Sequence, residues 1–125
     1  MAYTILVVDD SLLARTFMEK ALQLSGLPIG EICLACNGKE ALQVMEGRWI
    51  DLVFADINMP EMNGIELVQA MHASQTLKNL PVVIVSTERS ESRIRELEQS
   101  GIKAYISKPF SPEKLKQVVE GLFQE

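Results

Sequence analysis

Five short apolar runs, each followed by a stretch of helical period, constrain this sequence more than any other feature. Ile5-Leu6-Val7-Val8 is an uninterrupted apolar run, as in a strand buried on both faces. Ser11 can cap the next segment, in which Leu13, Phe17, Ala21 and Leu24 recur at helical spacing before Gly26 and Pro28 end it. The second strand is read from about Glu31 to Cys36, followed by a short helix marked by Ala41, Leu42 and Met45 and closed at Gly47. Leu52 to Asp56 is the third strand, and Asn63-Gly64 starts a helix carrying Ile65, Val68 and Met71. Leu80 to Ser86 is the fourth strand, Ile94 and Leu97 anchor the fourth helix, and Gly101 sits where a C-terminal cap belongs. Ala104 to Ser107 is the fifth strand. Ser111-Pro112-Glu113 starts a last helix bearing Leu115, Val118, Val119, Leu122 and Phe123 on one face. Strands joined through helices run parallel, with helices on both faces. The fold class expected is α/β, a doubly wound five-stranded parallel sheet, (βα)5. The pattern does not specify strand order. At 125 residues, without a linker, repeat or low-complexity tract, the chain is read as a single domain over 1–125.

In such a sheet, residues just past the carboxyl ends of the strands gather at one edge, where ligands bind. Here those positions hold Asp9-Asp10, Asp56, Ser86-Thr87 and Lys108-Pro109. Carboxylates brought together raise one another's pKa, and a hard divalent cation relieves that repulsion. Mg2+ suits a few carboxylates, a carbonyl and several waters. Flanked by Mg2+ and Lys108, one carboxylate can attack phosphorus, while metal, ammonium and hydroxyl neutralise the phosphoryl oxygens.

Composition narrows the classes further. A net charge of −5 argues against nucleic acid as a partner, because backbone phosphates need a basic face. No basic-then-apolar leader is visible, and no run approaches the roughly 18–20 apolar residues of a membrane span. The expected location is cytoplasmic, with no membrane partner. Cys33-Leu34-Ala35-Cys36 is formally a C-x-x-C, but it lies in an extended run. Residues three apart on a strand face opposite sides, roughly 10 Å apart, beyond disulfide reach. A zinc site would need further soft ligands, and only His72 remains. Both cysteines are read as buried, inert strand residues, His72 as solvent-facing, and Met59, Met62 and Met71 as packing.

At these positions the sequence resembles the receiver domain of two-component response regulators, along its whole length. Val7-Val8-Asp9-Asp10 looks like the family's acidic pair, and Asp56-Ile57-Asn58-Met59-Pro60 with Met62-Asn63-Gly64 looks like its phosphoacceptor loop. Pro81 to Ser86 resembles the fourth strand with its switch hydroxyl, and Ala104-Tyr105-Ile106-Ser107-Lys108-Pro109-Phe110 the fifth strand with its Lys-Pro signature. The resemblance implies the flavodoxin-like strand order 2-1-3-4-5, for which the chemotaxis regulator CheY is a standard example. It makes Asp56 the phosphoacceptor, with Mg2+ contacted directly by Asp10 and Asp56 and by the Asn58 backbone carbonyl, and with Asp9 nearby, reaching it through water. Lys108 would pair with Asp56 and the phosphoryl group. Ser86 and Tyr105 would form the switch, Asn58 and Glu88 would tune dephosphorylation, and a cis peptide would precede Pro109. The switch position holds Ser86 where threonine is commoner, and position 57 holds Ile where some chemotaxis members carry Trp.

The implied partners are a sensor histidine kinase or phosphotransfer protein, and a downstream protein. The latter would read the face built by the fourth helix, fifth strand and fifth helix. The state implied is a monomer or weak dimer. No output domain follows in the sequence as read, so the signal is expected to leave by protein–protein contact, in chemotaxis or in a phosphorelay. No enzymatic turnover is expected beyond self-catalysed phosphotransfer and autodephosphorylation. Taken singly, each residue has a plainer role: Asp9-Asp10 as an acidic turn, Lys108-Pro109 as a turn, Ser86 and Thr87 as strand-end hydroxyls, Tyr105 as packing. Other functions weighed are an Asp-nucleophile phosphohydrolase, a flavodoxin-like electron carrier, a Cys33/Cys36 redox protein and a pseudo-receiver that only binds partners. The first lacks D-x-D after strand one and a cap domain, the second lacks a phosphate loop, and the complete Asp9, Asp10, Asp56, Ser86 and Lys108 set argues against the last.

Overall fold

The computed structural model describes residues 2–123. Five strands and five helices alternate: β1 (Tyr3–Val8), α1 (Leu12–Leu24), β2 (Ile29–Ala35), α2 (Gly38–Gly47), β3 (Leu52–Ala55), α3 (Gly64–His72), β4 (Val82–Ser86), α4 (Glu91–Gln99), β5 (Ala104–Ser107) and α5 (Pro112–Leu122). The strands form one parallel sheet in the order β2-β1-β3-β4-β5, which agrees with the flavodoxin-like expectation. Among the described residues no helix is long and apolar enough to cross a membrane.

Alternation along the central strands divides the core in two. Leu6, Val8, Val53, Ala55 and Ile84 pack with Ala41 and Met45 of α2, Leu67, Val68 and Met71 of α3, and Leu97 of α4. Their neighbours Ile5, Val7, Phe54, Val83 and Val85 face the other way, onto Met18, Ala21 and Leu22 of α1 and Leu115 and Val119 of α5. Strands buried on both faces explain the unbroken apolar runs Ile5 to Val8 in β1, Leu52 to Ala55 in β3 and Val82 to Val85 in β4. Each helix begins just after a strand, with Ser11, Asn37, Asn63, Ser90 or Ser111 accepting a backbone N–H three residues on. Such caps contribute about 1 kcal/mol each. Because each helix follows a strand of a parallel sheet, all five helices start toward its carboxyl edge.

Some expectations are corrected. Of the residues marking the helical period of α1, only Ala21 is buried, whereas Leu13, Phe17 and Leu24 are 80%, 56% and 67% exposed. The helix is apolar on more than one side, and periodicity cannot say which side meets the sheet. Neither cysteine is buried: both are half-exposed and free, and Cys36 lies beyond β2 with its Sγ 3.1 Å from Glu40 Oε2. Strand β2 runs earlier than expected, β4 begins at Val82 rather than Leu80, and Asp56 stands one residue past β3. Gly101 follows α4 with φ +98°, the left-handed conformation that ends a helix and favours glycine. His72 is exposed on the last turn of α3.

Candidate functional site

Parallel register brings the ends of β1, β3, β4 and β5 level. Val8 lies opposite Ala55, and Ser86 opposite Ser107. The residue after each of β1, β3 and β5 therefore emerges at the same edge: Asp9, Asp56 and Lys108. Backbone bonds extend the strands to them, from Asp9 N to the Ala35 carbonyl, from Asp56 N to Val8 and from Lys108 N to Ser86.

Lys108 is the hub. Its Nζ donates to Asp9 Oδ2 and to Asp56 Oδ2, at 3.0 Å each. The second oxygen of each carboxylate is also used: Asp9 Oδ1 accepts from Ser11 N at 3.0 Å, and Asp56 Oδ1 from Asn58 N at 3.3 Å. Burial pushes the Asp9 carboxyl up, against the opposing pull of the Ser11 amide and Lys108. Burial also pulls on Lys108, but there the two carboxylates outweigh it and hold the ammonium above its usual value. The lysine is thus a fixed positive charge beside Asp56.

Three carboxylates, two hydroxyls and an ammonium were expected to converge. The structure brings two carboxylates and the ammonium into contact. Asp10 stays exposed at the rim, and among the described residues no three His, Cys, Asp or Glu side chains are grouped as a ready metal cage. One ammonium offsets only half the charge of two carboxylates, and drawing a third inward would add repulsion. Asn58 is exposed and close to Asp56 through its backbone. The Lys108–Pro109 bond is cis.

Ser86 is 1% exposed at the end of β4, and its Oγ accepts from Glu88 N at 3.3 Å. The Tyr105 hydroxyl donates to the carbonyl of the same Glu88 at 2.7 Å. Burial pushes the Tyr105 phenol up. Ser86 and Tyr105 are therefore joined through one residue of the β4–α4 loop. Two basic residues escaped the sequence reading. Arg15 Nη1 donates to the Asp9 carbonyl at 2.6 Å, and Arg89 Nη2 to the Lys108 carbonyl at 3.3 Å. Arg15 could have been suspected, since it lies one turn into the helix that follows the acidic pair.

The phosphoacceptor loop closes on itself. Gly64 N donates to the Ile57 carbonyl at 2.8 Å, and Ile57 is fully buried. A Cβ at Gly64 would overlap the Asp56 carbonyl oxygen and lie 3.0 Å from Ile57 Cα. Glycine is needed here for close approach of two backbones.

Known proteins resemble this chain in sequence and in fold. The family model described as the response regulator receiver domain matches residues 5–120. The chain is 35% identical over 120 residues to the chemotaxis protein CheY of Pseudomonas aeruginosa, covering 96% of this chain and 95% of that protein. The structure of CheY4 from Vibrio cholerae superposes with a TM-score of 0.87 at 31% identity, over 98% of this chain and all (100%) of the other. A CheX–CheY–BeF3–Mg+2 complex from Borrelia burgdorferi superposes with a TM-score of 0.85 at 28% identity, over 98% and 90% of the two chains. Match to the family model, strand order and the Asp9–Lys108–Asp56 edge agree: this chain belongs to the response regulator receiver domain family, as a CheY-like signalling protein.

Proposed function

We propose that the chain is a phosphorylatable switch in which Asp56 takes a phosphoryl group from the phosphohistidine of a sensor kinase or phosphotransfer protein. The observation that carries this reading is the Lys108 ammonium 3.0 Å from Asp56 Oδ2 and fixed from behind by Asp9. An oxygen of Asp56 forms the new O–P bond, the P–N bond to imidazole breaks, and its electron pair stays on nitrogen. Lys108 offsets charge on the transferring group, and the Asn58 amide orients the carboxylate. No separate substrate is turned over.

The donor chemistry at this edge fits Mg2+. The ion needs only one or two carboxylates, with water and a carbonyl completing an octahedron. Asp9 and Asp56 already share a cationic partner, Asp10 adjoins them, and the Asn58 carbonyl belongs to the same loop. When bound, Mg2+ would supply charge neutralisation at the phosphoryl oxygens. The Borrelia relative, whose complex contains BeF3 and Mg+2, supports extending both to this chain.

Ser86 and Tyr105 supply the readout. A phosphoryl group on Asp56 offers the Ser86 hydroxyl an anionic acceptor, drawing it from the Glu88 amide. The Tyr105 bond to the Glu88 carbonyl loosens with it, reshaping the face formed by α4, β5 and α5. A downstream protein reads the two shapes by differential affinity. The sequence relatives make a chemotaxis-type pathway the natural setting.

Beryllofluoride with Mg2+ tests this reading by NMR. Shifts centred on Asp56, Ser86, Tyr105 and Lys108, absent in Asp56→Asn, are expected; shifts that survive Asp56→Asn contradict it. By calorimetry, Asp10→Asn should weaken Mg2+ binding about tenfold through loss of a ligand charge, and unchanged affinity removes Asp10 from the site. Trp49 should respond weakly to the same titration. It is 81% exposed, its Nε1 donates to Asp51, and it precedes β3, roughly 20 Å of extended chain from Asp56. Strong Mg2+ quenching would contradict that placement.

A further inference from the structure

A cavity of about 560 Å³ opens at the amino edge of the sheet, beside the start of β3 and away from Asp56. Much of its lining is apolar: Met45 and Ile50 are buried there, and Leu80, Pro81 and Phe123 each leave surface exposed. Trp49 also lines it, largely exposed, yet its indole is held in place. Its Nε1 donates to Asp51 Oδ1 at 2.9 Å. Asp51 is itself tied to β1, its Oδ2 accepting from Thr4 N and its own N donating to the Thr4 carbonyl, at 2.8 Å each. Three charged residues line the cavity: Glu46, Arg48 and Asp51. Arg48 is committed to Glu31 of β2, whereas neither Glu46 nor Asp51 has an ion-pair partner among the described residues. The unbalanced charge of the cavity is therefore negative, and it sits beside a fixed aromatic face. The phosphoacceptor reading gives none of these residues a role.

We propose that this cavity docks a basic segment of a partner protein, with an arginine on the Trp49 ring and a neighbouring large apolar side chain in the apolar part. Charge complementarity selects the occupant. The two carboxylates repel an acidic segment or a nucleic-acid backbone, and an indole face favours a cation, above all the flat guanidinium. Tryptophan and arginine are also the residue types that most often carry the binding energy of an interface. Because Asp51 already holds the indole, little side-chain freedom is lost on docking. Position sets the role. Asp51 precedes β3 and Asp56 follows it, so the whole strand separates the two sites. Ser86, Glu88 and Tyr105 do not line the cavity. Docking there is therefore indifferent to the state of Asp56. It acts as a standing tether that raises the local concentration of a partner at the face formed by α4, β5 and α5.

The test titrates the N-acetyl peptide amides Leu-Arg, Leu-Ala-Arg and Leu-Ala-Ala-Arg, which vary the spacing between cation and apolar anchor. Binding is read by fluorescence of Trp49, the chain's only tryptophan, and by NMR amide shifts. Replacing arginine by citrulline, which keeps its shape without its charge, should weaken the best peptide about three- to tenfold. Trp49→Ala, read by NMR, should weaken it about tenfold or more, and Glu46→Gln about twofold. Both variants should keep the wild-type amide spectrum at the carboxyl edge. Beryllofluoride with Mg2+ should change the peptide affinity less than about twofold. Equal affinity for the arginine and citrulline peptides, or no saturable response at Trp49 to any of the three, would overturn the proposal. Methylguanidinium binding as tightly as the best peptide would also overturn it, assigning the cavity to small organic cations. A concentration-dependent mass in ultracentrifugation that Trp49→Ala abolishes would do the same, making the occupant a second copy of this chain. An affinity that moves more than about threefold with beryllofluoride would overturn the standing tether. Failure of beryllofluoride to bind would count against Asp56 alone, and the peptide comparison would still decide the docking site.

Discussion

Lys108→Ala is expected to slow phosphoryl uptake by Asp56 about a hundredfold at saturating Mg2+, the usual consequence of removing one preorganised donor from a developing anion. The lysine side chain is only 23% exposed and ends on two carboxylates that are themselves 9% and 15% exposed. Water therefore cannot readily replace the ammonium. Without it, Mg2+ alone must neutralise Asp9, Asp56 and the arriving phosphoryl group, and burial already disfavours the charged form of Asp9. Alanine keeps the backbone bond to Ser86 but loses the charge that would bridge Asp9, Asp56 and the phosphoryl group. Phosphorylated Lys108→Ala should consequently fail to change its affinity for a partner that discriminates the two states. Single-turnover mass spectrometry with acetyl phosphate measures the first effect, and partner titration the second. A rate within about threefold of wild type would mean that the ammonium is not part of the phosphotransfer machinery.

Gly64→Ala should lower stability by about 2–3 kcal/mol and slow phosphorylation together, because overpacking against backbone has little room to relax. The added methyl would meet the Asp56 carbonyl and Ile57 Cα, atoms held in place by β3 pairing and by the buried Ile57 side chain. Relief requires the loop from Ile57 to Asn63 to move away, taking the Asn58 amide from Asp56 Oδ1. Gly47→Ala is the matched control, since nothing lies within 4 Å of its added Cβ. Urea unfolding of both variants measures the effect. A change below about 0.5 kcal/mol at Gly64 would show that the loop yields freely.

The alternation of strands and helices was legible because β1, β3 and β4 are buried on both faces, which forces unbroken apolar runs. The cap residues were legible at Ser11, Asn63 and Ser111 because side-chain acceptors at helix starts have a chemical reason to be there. Strand order was not, since nothing in an apolar run names its neighbour; it came from the resemblance. The face of α1 was misjudged because Leu13 and Phe17 satisfy the helical period as well as Met18 and Leu22 do. At the site, the sequence could place Asp9 and Asp10 at the same edge but not distinguish them. They are adjacent, and only the folded chain shows Asp9 turned inward, onto the Ser11 amide and the Lys108 ammonium. The Tyr105–Glu88 link and the Arg89 contact join residues distant in sequence, so spacing carries no trace of them.

The most direct test of the account is intact-mass spectrometry after incubation with acetyl phosphate and Mg2+, alongside Asp56→Asn and a metal-free sample. The account predicts one added phosphoryl group on the wild type, lost when either Asp56 or Mg2+ is removed. Absence of any adduct on the wild type, or an adduct that survives Asp56→Asn, would contradict it and leave the acidic edge as the binding surface of a receiver that does not phosphorylate there.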